Sequence, residues 1–187
     1  MLLRRIILTA FLCLIGFDAR SDTSLWLKLN ESDHFAIIRH ANAPGTGDPA
    51  NFRIGDCSTQ RNLDQTGRNE AEAIGSRARD AGIKSASVYS SQWCRCMDTA
   101  SELNLGPVQA LPALNSFYQR SKDREGNMKA LRAFIAQNTK VPGPKILVTH
   151  QVTISALTGQ FTRQGETLIF RHTGQGDVEV IGSIPPG

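Results

Sequence analysis

The chain contains no CxxC pair and no histidine-rich cluster, which argues against a zinc site of ordinary ligand spacing. It has no internal repeat, heptad run or low-complexity tract, so solenoid, coiled-coil and array architectures fall away. Its basic residues are not gathered into one patch, as a nucleic-acid-binding protein would usually show. No apolar run reaches the roughly 20 residues that a membrane-spanning helix needs. What remains is a chain of 187 residues, the length of one domain with a single substantial core.

The N-terminus stands apart. Arg4-Arg5, twelve mostly apolar residues from Ile6 to Phe17 and the small-x-small triplet Ala19-Arg20-Ser21 have the three parts of a secretory signal. Residues 1–21 are therefore expected to be a signal peptide cleaved near Ser21, and residues 22–187 to be the exported domain, periplasmic or secreted, with no stable membrane insertion after cleavage. The alternative is an uncleaved anchor. Cys13 lacks a convincing lipobox. Removing residues 1–21 lowers the formal charge from +4 to +2, with 18 basic side chains against 16 acidic. Three cysteines then remain, Cys57, Cys94 and Cys96. An oxidising compartment allows Cys57 to pair with Cys94 or with Cys96, and three buried reduced thiols are the alternative.

Chemistry-bearing residues first appear where Phe35-Ala36-Ile37-Ile38 runs into Arg39-His40, a buried strand delivering two polar side chains to a loop. The polar stretch Asn42 to Asn62 follows, long enough to suggest a functional loop. Ala71, Ile74, Ala78 and Ala81 recur at helical spacing, with Asp64 or Thr66 as cap and Gly82 as stop. A strand is expected at Ala86 to Ser90, then a helix to about Leu103 with Arg95 in its first turn, where the helix dipole favours an anion. Val108 to Glu125 reads as irregular, and Asn127 to Gln137 as an amphipathic helix. The opening pattern then returns as Lys145-Ile146-Leu147-Val148-Thr149-His150, followed by a short helix from Gln151 to Thr158. Glu166 to Ile181 reads as two strands around Gly174-Gln175-Gly176-Asp177. The alternation predicts an α/β fold, a three-layer α/β/α sandwich on a mostly parallel sheet with an antiparallel edge strand.

Arg39, His40, Arg95 and His150 all follow strand ends or open helices, which in such a sheet is one rim, the place where ligands bind. Two guanidinium forks match the oxygens of a phosphoryl group, and a histidine beside them can take that group onto a ring nitrogen. Neither a metal nor a cofactor is required.

Ile38-Arg39-His40-Ala41, Leu63-Asp64-Gln65-Thr66-Gly67, Ser90-Ser91 through Arg95 to Thr99-Ala100, and Val148-Thr149-His150 stand in the order and context of four motifs of a known family. Over Phe35 to Thr158 the sequence resembles the histidine phosphatase superfamily, which includes cofactor-dependent phosphoglycerate mutases and bacterial phosphohistidine phosphatases. The resemblance implies His40 as phosphorylated nucleophile, with Arg39, Arg95 and His150 binding the phosphoryl group and stabilising its growing charge. Arg61 stands where the phosphohistidine phosphatases carry a substrate-binding arginine.

Two departures bear on the chemistry. Where many members carry a glutamate in a Leu-x-Glu setting as proton donor, this chain has Leu114-Asn115-Ser116-Phe117, and where another branch places an aspartate it has Gln151. Asp56 and Glu166 are the remaining general-acid candidates. The expectation is an exported, metal-independent phosphatase acting on a small anionic phosphorylated substrate. The alternatives are a catalytically weak phospho-ligand-binding protein and a phosphomutase. Neither subunit number nor substrate is legible.

Overall fold

The computed structural model describes residues 17–186. Most of the expected signal segment, residues 1–16, lies outside them, and helix α1 (Phe17–Leu27) runs across the expected cleavage site. Among the described residues no helix is long and apolar enough to cross a membrane.

Six strands form one sheet: β1 (His34–Arg39), β2 (Ser87–Ser90), β3 (Val108–Ala110), β4 (Lys145–Thr149), β5 (Thr167–Gly174) and β6 (Asp177–Ile184), in the order β3-β2-β4-β1-β5-β6. The pairs β2/β3, β2/β4 and β1/β4 are parallel, while β5 and β6 add antiparallel strands on one side. β1 and β4 read as continuous apolar runs because both of their faces are covered. Ala36, Ile38, Ile146 and Val148 pack on one face, with Trp26 of α1, Ile74 of α2 (Gln65–Asp80) and Cys96 of α3 (Cys94–Glu102). Phe35, Ile37 and Leu147 pack on the other, with Leu131 of α4 (Arg124–Asn138) and Ile154 of α5 (Gln151–Thr158). This is the expected three-layer α/β sandwich.

Local signals account for most boundaries. Asp64 caps α2 by accepting from the Gly67 N–H at 2.7 Å. Gly159 ends α5 in the left-handed conformation at φ 74°. β5 and β6 are joined through Gln175 and Gly176, both with positive φ, as a two-residue hairpin requires. Three elements depart from expectation. β3 interrupts the stretch read as irregular; it is three residues long and exists through its register with β2, which no periodicity announces. α4 begins at Arg124, earlier than its apolar pattern. α1 and the 3-10 turn after it place Trp26 and Leu29 in the core from a segment with no strong helical stripe.

Candidate active site

The C-terminal ends of β1 and β4 lie side by side, with Arg39 opposite Thr149 and the His40 N–H donating to the Thr149 carbonyl at 2.9 Å. The pairing brings the two histidines together, ring centroids 5.6 Å apart in a T-shaped arrangement. Both are nearly inaccessible, His40 at 2% and His150 at 4%. The chain after His40 is anchored to two helices. The Ala41 N–H donates to Thr99 Oγ1 on α3, and the Asn42 N–H to Glu70 on α2. α2 approaches so closely that a Cβ at Gly67 would stand 2.1 Å from the Asn42 carbonyl oxygen, which restricts that position to glycine.

Hydrogen bonds select the state of each histidine. His40 Nδ1 lies 2.8 Å from the Ala41 carbonyl, which can only accept, so Nδ1 carries the proton and Nε2 keeps a free lone pair. Burial first, and then the positive charge of Arg95, push the His40 pKa down to about 3, so the ring is neutral across the physiological range. Burial, Arg95 and His40 likewise hold His150 well below its ordinary value. An Arg95 amine faces His150 Nδ1 at 3.5 Å, and Nε2 lies 2.8 Å from Ser91 Oγ. The arrangement makes Nε2–H the donor to Ser91, whose hydroxyl donates in turn to Asn115 Oδ1 at 3.3 Å.

Around this floor opens a cavity of about 360 Å³ lined by Arg39, His40, Arg61, Arg95 and His150, together with Asp48, Phe52, Trp93, Tyr118 and Arg120. The four residues expected to act together are therefore brought together, and Arg61 joins them. Arg39 donates to the Thr162 carbonyl at 2.7 Å and to Gln151 Oε1 at 3.3 Å. Gln151, standing where another branch has an aspartate, thus orients an arginine. Arg61 donates through Nε to the Gly47 carbonyl and through a terminal nitrogen to the Ala43 carbonyl, so it holds the loop as well as facing the cavity. Among the described residues the buried Nε atoms of Arg39 and Arg95 have no protein acceptor.

The general-acid candidates require correction. Asp56 and Glu166 are not among the cavity-lining residues. Asp56 caps the 3-10 turn Cys57–Thr59 and pairs with Arg53; hydrogen bonding from Ser58, and then Arg53, lowers its pKa, the wrong direction for a proton donor. Glu166 turns its carboxylate to the Arg163 N–H and the Ser183 hydroxyl. Both were attractive only by sequence neighbourhood, and each is consumed by a local structural task. Asn115 braces the β2–α3 turn, its Oδ1 accepting from the Gln92 N–H at 2.9 Å. Ser116 lines the cavity but brings no carboxyl group.

Among the described residues one carboxylate lines the cavity, and sequence reasoning missed it. Asp48 receives both terminal nitrogens of Arg95, at 2.7 and 3.1 Å, as well as Trp93 Nε1 at 3.0 Å and the Arg61 N–H at 3.1 Å. The two charged side chains are only 4% and 5% exposed. Burial would raise the Asp48 pKa, but hydrogen bonding and charge from Arg95 outweigh it and the net shift is downward. The only advance signal was the long loop leaving Arg39-His40. That loop is stapled to α3 by a Cys57–Cys94 disulfide, with an S–S distance of 2.05 Å. Cys96 remains a free buried thiol, and burial pushes it up to about 12. Of the alternatives left open by the sequence, the structure contains the Cys57–Cys94 pairing.

Fold and cavity together define a three-layer α/β protein with a cationic pocket built on two strand-end histidines. The sequence model of the histidine phosphatase superfamily (branch 1) matches residues 35–118. Among solved structures, the protein histidine phosphatase SixA complexed with tungstate is similar at a TM-score of 0.61 and 14% identity, over 81% of this chain and 96% of that one. The putative phosphohistidine phosphatase SixA from Agrobacterium tumefaciens is similar at a TM-score of 0.54 and 20% identity, over 83% and 99%. Mycobacterial glucosyl-3-phosphoglycerate phosphatase with inorganic phosphate gives 0.59 and 13%, over 80% and 96%. No curated protein matches significantly. Over residues 35–118 the chain is similar to the histidine phosphatase superfamily, branch 1, and its fold is that of these solved neighbours.

Proposed function

We propose that this protein is an exported, metal-independent phosphatase that hydrolyses a phosphomonoester or related phosphorylated compound through a phosphohistidine on His40. The observation that carries this reading is the His40 ring itself, with Nδ1–H tied to the Ala41 carbonyl and the Nε2 lone pair free. In the first step Nε2 attacks phosphorus and the bond to the leaving oxygen breaks. In the second, water attacks phosphorus, the P–N bond breaks, and inorganic phosphate leaves. Arg39, Arg95, Arg61 and a His150 that gains a proton beside the bound anion compensate the charge on the equatorial oxygens. Because Asp48, the carboxylate that lines the cavity among the described residues, is held ionised against Arg95, the site suits leaving groups that depart with little protonation, such as the phenolate of an aryl phosphate or the carboxylate of an acyl phosphate.

The experiment is hydrolysis of an aryl phosphate in the presence of a chelator. The wild-type protein is expected to turn it over and to accumulate acid-labile, base-stable phosphate on His40. His40→Ala is expected to lose at least about 1000-fold in kcat with an unchanged circular dichroism spectrum. Turnover retained by His40→Ala would refute the assignment, and loss of activity to the chelator would refute metal independence.

The same locked carboxylate favours a second reading, a phospho-ligand-binding protein with little turnover. Tight phosphate binding without hydrolysis by the wild-type chain would select it. Export is supported by the form of residues 1–21 and by a disulfide suited to an oxidising compartment. N-terminal sequencing of the exported protein should begin near Asp22.

A further inference from the structure

The outer wall of the cavity is built from side chains that phosphoryl transfer at its floor does not use. Phe52 stacks on Trp93 with ring centroids 4.8 Å apart and 21° between planes, and Trp93 is held in orientation by its bond to Asp48. The Arg120 guanidinium lies over the Phe52 ring, 5.5 Å from its centroid, and Tyr118, 62% exposed, lines the same cavity. Among the described residues the Arg120 side chain has no hydrogen bond and no ion pair. A guanidinium posed on an aromatic face keeps its donors free while its stem and plane are ordered.

The charge balance of the cavity points the same way. Four arginines, Arg39, Arg61, Arg95 and Arg120, face one carboxylate, Asp48, and both histidines are neutral. A phosphoryl dianion at the floor still leaves positive charge uncompensated, the more so once His150 gains a proton, and among the described residues Arg120 is the one of the four arginines whose side chain has no protein acceptor. An apolar and aromatic wall beside a free guanidinium suits a leaving group with a ring face and an acidic substituent.

Resting on the phosphatase reading above, we propose that Arg120, with Phe52 and Tyr118, forms a leaving-group subsite, and that the substrate is a phosphomonoester whose leaving group bears a ring and a further anionic substituent. The substituent pairs with Arg120 while the ring lies along the aromatic wall, which places the scissile phosphorus over His40.

The test compares kcat/KM for phenyl phosphate and 4-carboxyphenyl phosphate. The ratio between the two esters cancels effects common to both, and comparing that ratio between variants cancels the intrinsic reactivity of each leaving group. In Arg120→Ala the ratio of carboxylated to parent ester is expected to fall about tenfold relative to wild type. In Arg171→Ala, which removes a charge outside the cavity, it should stay as in wild type. The same two compounds are titrated calorimetrically into His40→Ala and into His40→Ala/Arg120→Ala, where the preference in Kd should again fall about tenfold. An equal ratio with and without Arg120 in both measurements overturns the subsite. A wild-type protein that hydrolyses neither ester overturns the phosphatase reading instead, and the calorimetric ratio then decides the subsite on its own.

Discussion

The floor and the wall of the cavity are held by different forces. The floor, Arg39, His40 and His150, is an extension of the sheet: the β1/β4 ladder continues through the His40 N–H to the Thr149 carbonyl, and both histidines sit over the apolar core. The wall, formed by the 43–62 loop and residues 116–120, has little regular structure. It is tied down by Arg61 on the Ala43 and Gly47 carbonyls, by Asp48 on Arg95 and Trp93, and by the Cys57–Cys94 disulfide. A backbone ladder tolerates changes of side chain, whereas a set of side-chain tethers can be removed one at a time. The floor is therefore suited to constant chemistry and the wall to variable specificity.

If this division is right, damage to the wall should appear in stability and KM rather than in kcat. The largest effect is expected from Asp48→Ala, which leaves a buried guanidinium unpaired. We expect a loss of about 3 kcal/mol in urea denaturation, partly restored by added inorganic phosphate, which supplies Arg95 with another anion. A loss below about 1 kcal/mol, or one that phosphate does not relieve, would show that the pair is not the hinge between wall and floor. A somewhat smaller effect is expected from Cys57→Ser/Cys94→Ser. The disulfide closes a loop with a sequence separation of 37, and removing it should cost about 2–3 kcal/mol and raise KM while kcat on an aryl phosphate stays within about threefold. A collapse of kcat would place the loop in the chemistry and break the comparison. The smallest effect is expected from Asn115→Ala, which removes the brace on the Gln92 N–H and the acceptor for Ser91. About 1 kcal/mol of stability and less than about tenfold in kcat should be lost. A loss of several hundredfold would mean that the Ser91–Asn115 relay to His150 belongs to the machinery.

Legibility followed the same line. Arg39, His40 and His150 were readable because each ends an apolar run that can only be a buried strand, and Arg95 because it opens a helix after such a strand. Arg61 was readable through the family resemblance, although its hold on the loop backbone was not. Asp48 and Arg120 gave no such sign. Each sits in a polar, irregular stretch where one charged residue looks like the next. Asp56 and Glu166 misled for the same reason, since closeness in sequence to a site says nothing about the direction a loop carboxylate takes. β3 escaped notice because three residues hold too little pattern, and its strand geometry comes from β2.

By itself the sequence determined the two buried strands, the helices that cover them and the arrival of histidine and arginine at one rim. Apolar periodicity and capping act over a few residues and are written locally. Only the tertiary structure decided that Asp48 crosses 47 residues of chain to take Arg95, that Cys57 joins Cys94, and that Arg120 comes to rest over Phe52 with its donors free. Those contacts depend on how loops close over a finished core. Closure is chosen by the sum of distant packing and charge, which no short stretch of sequence records.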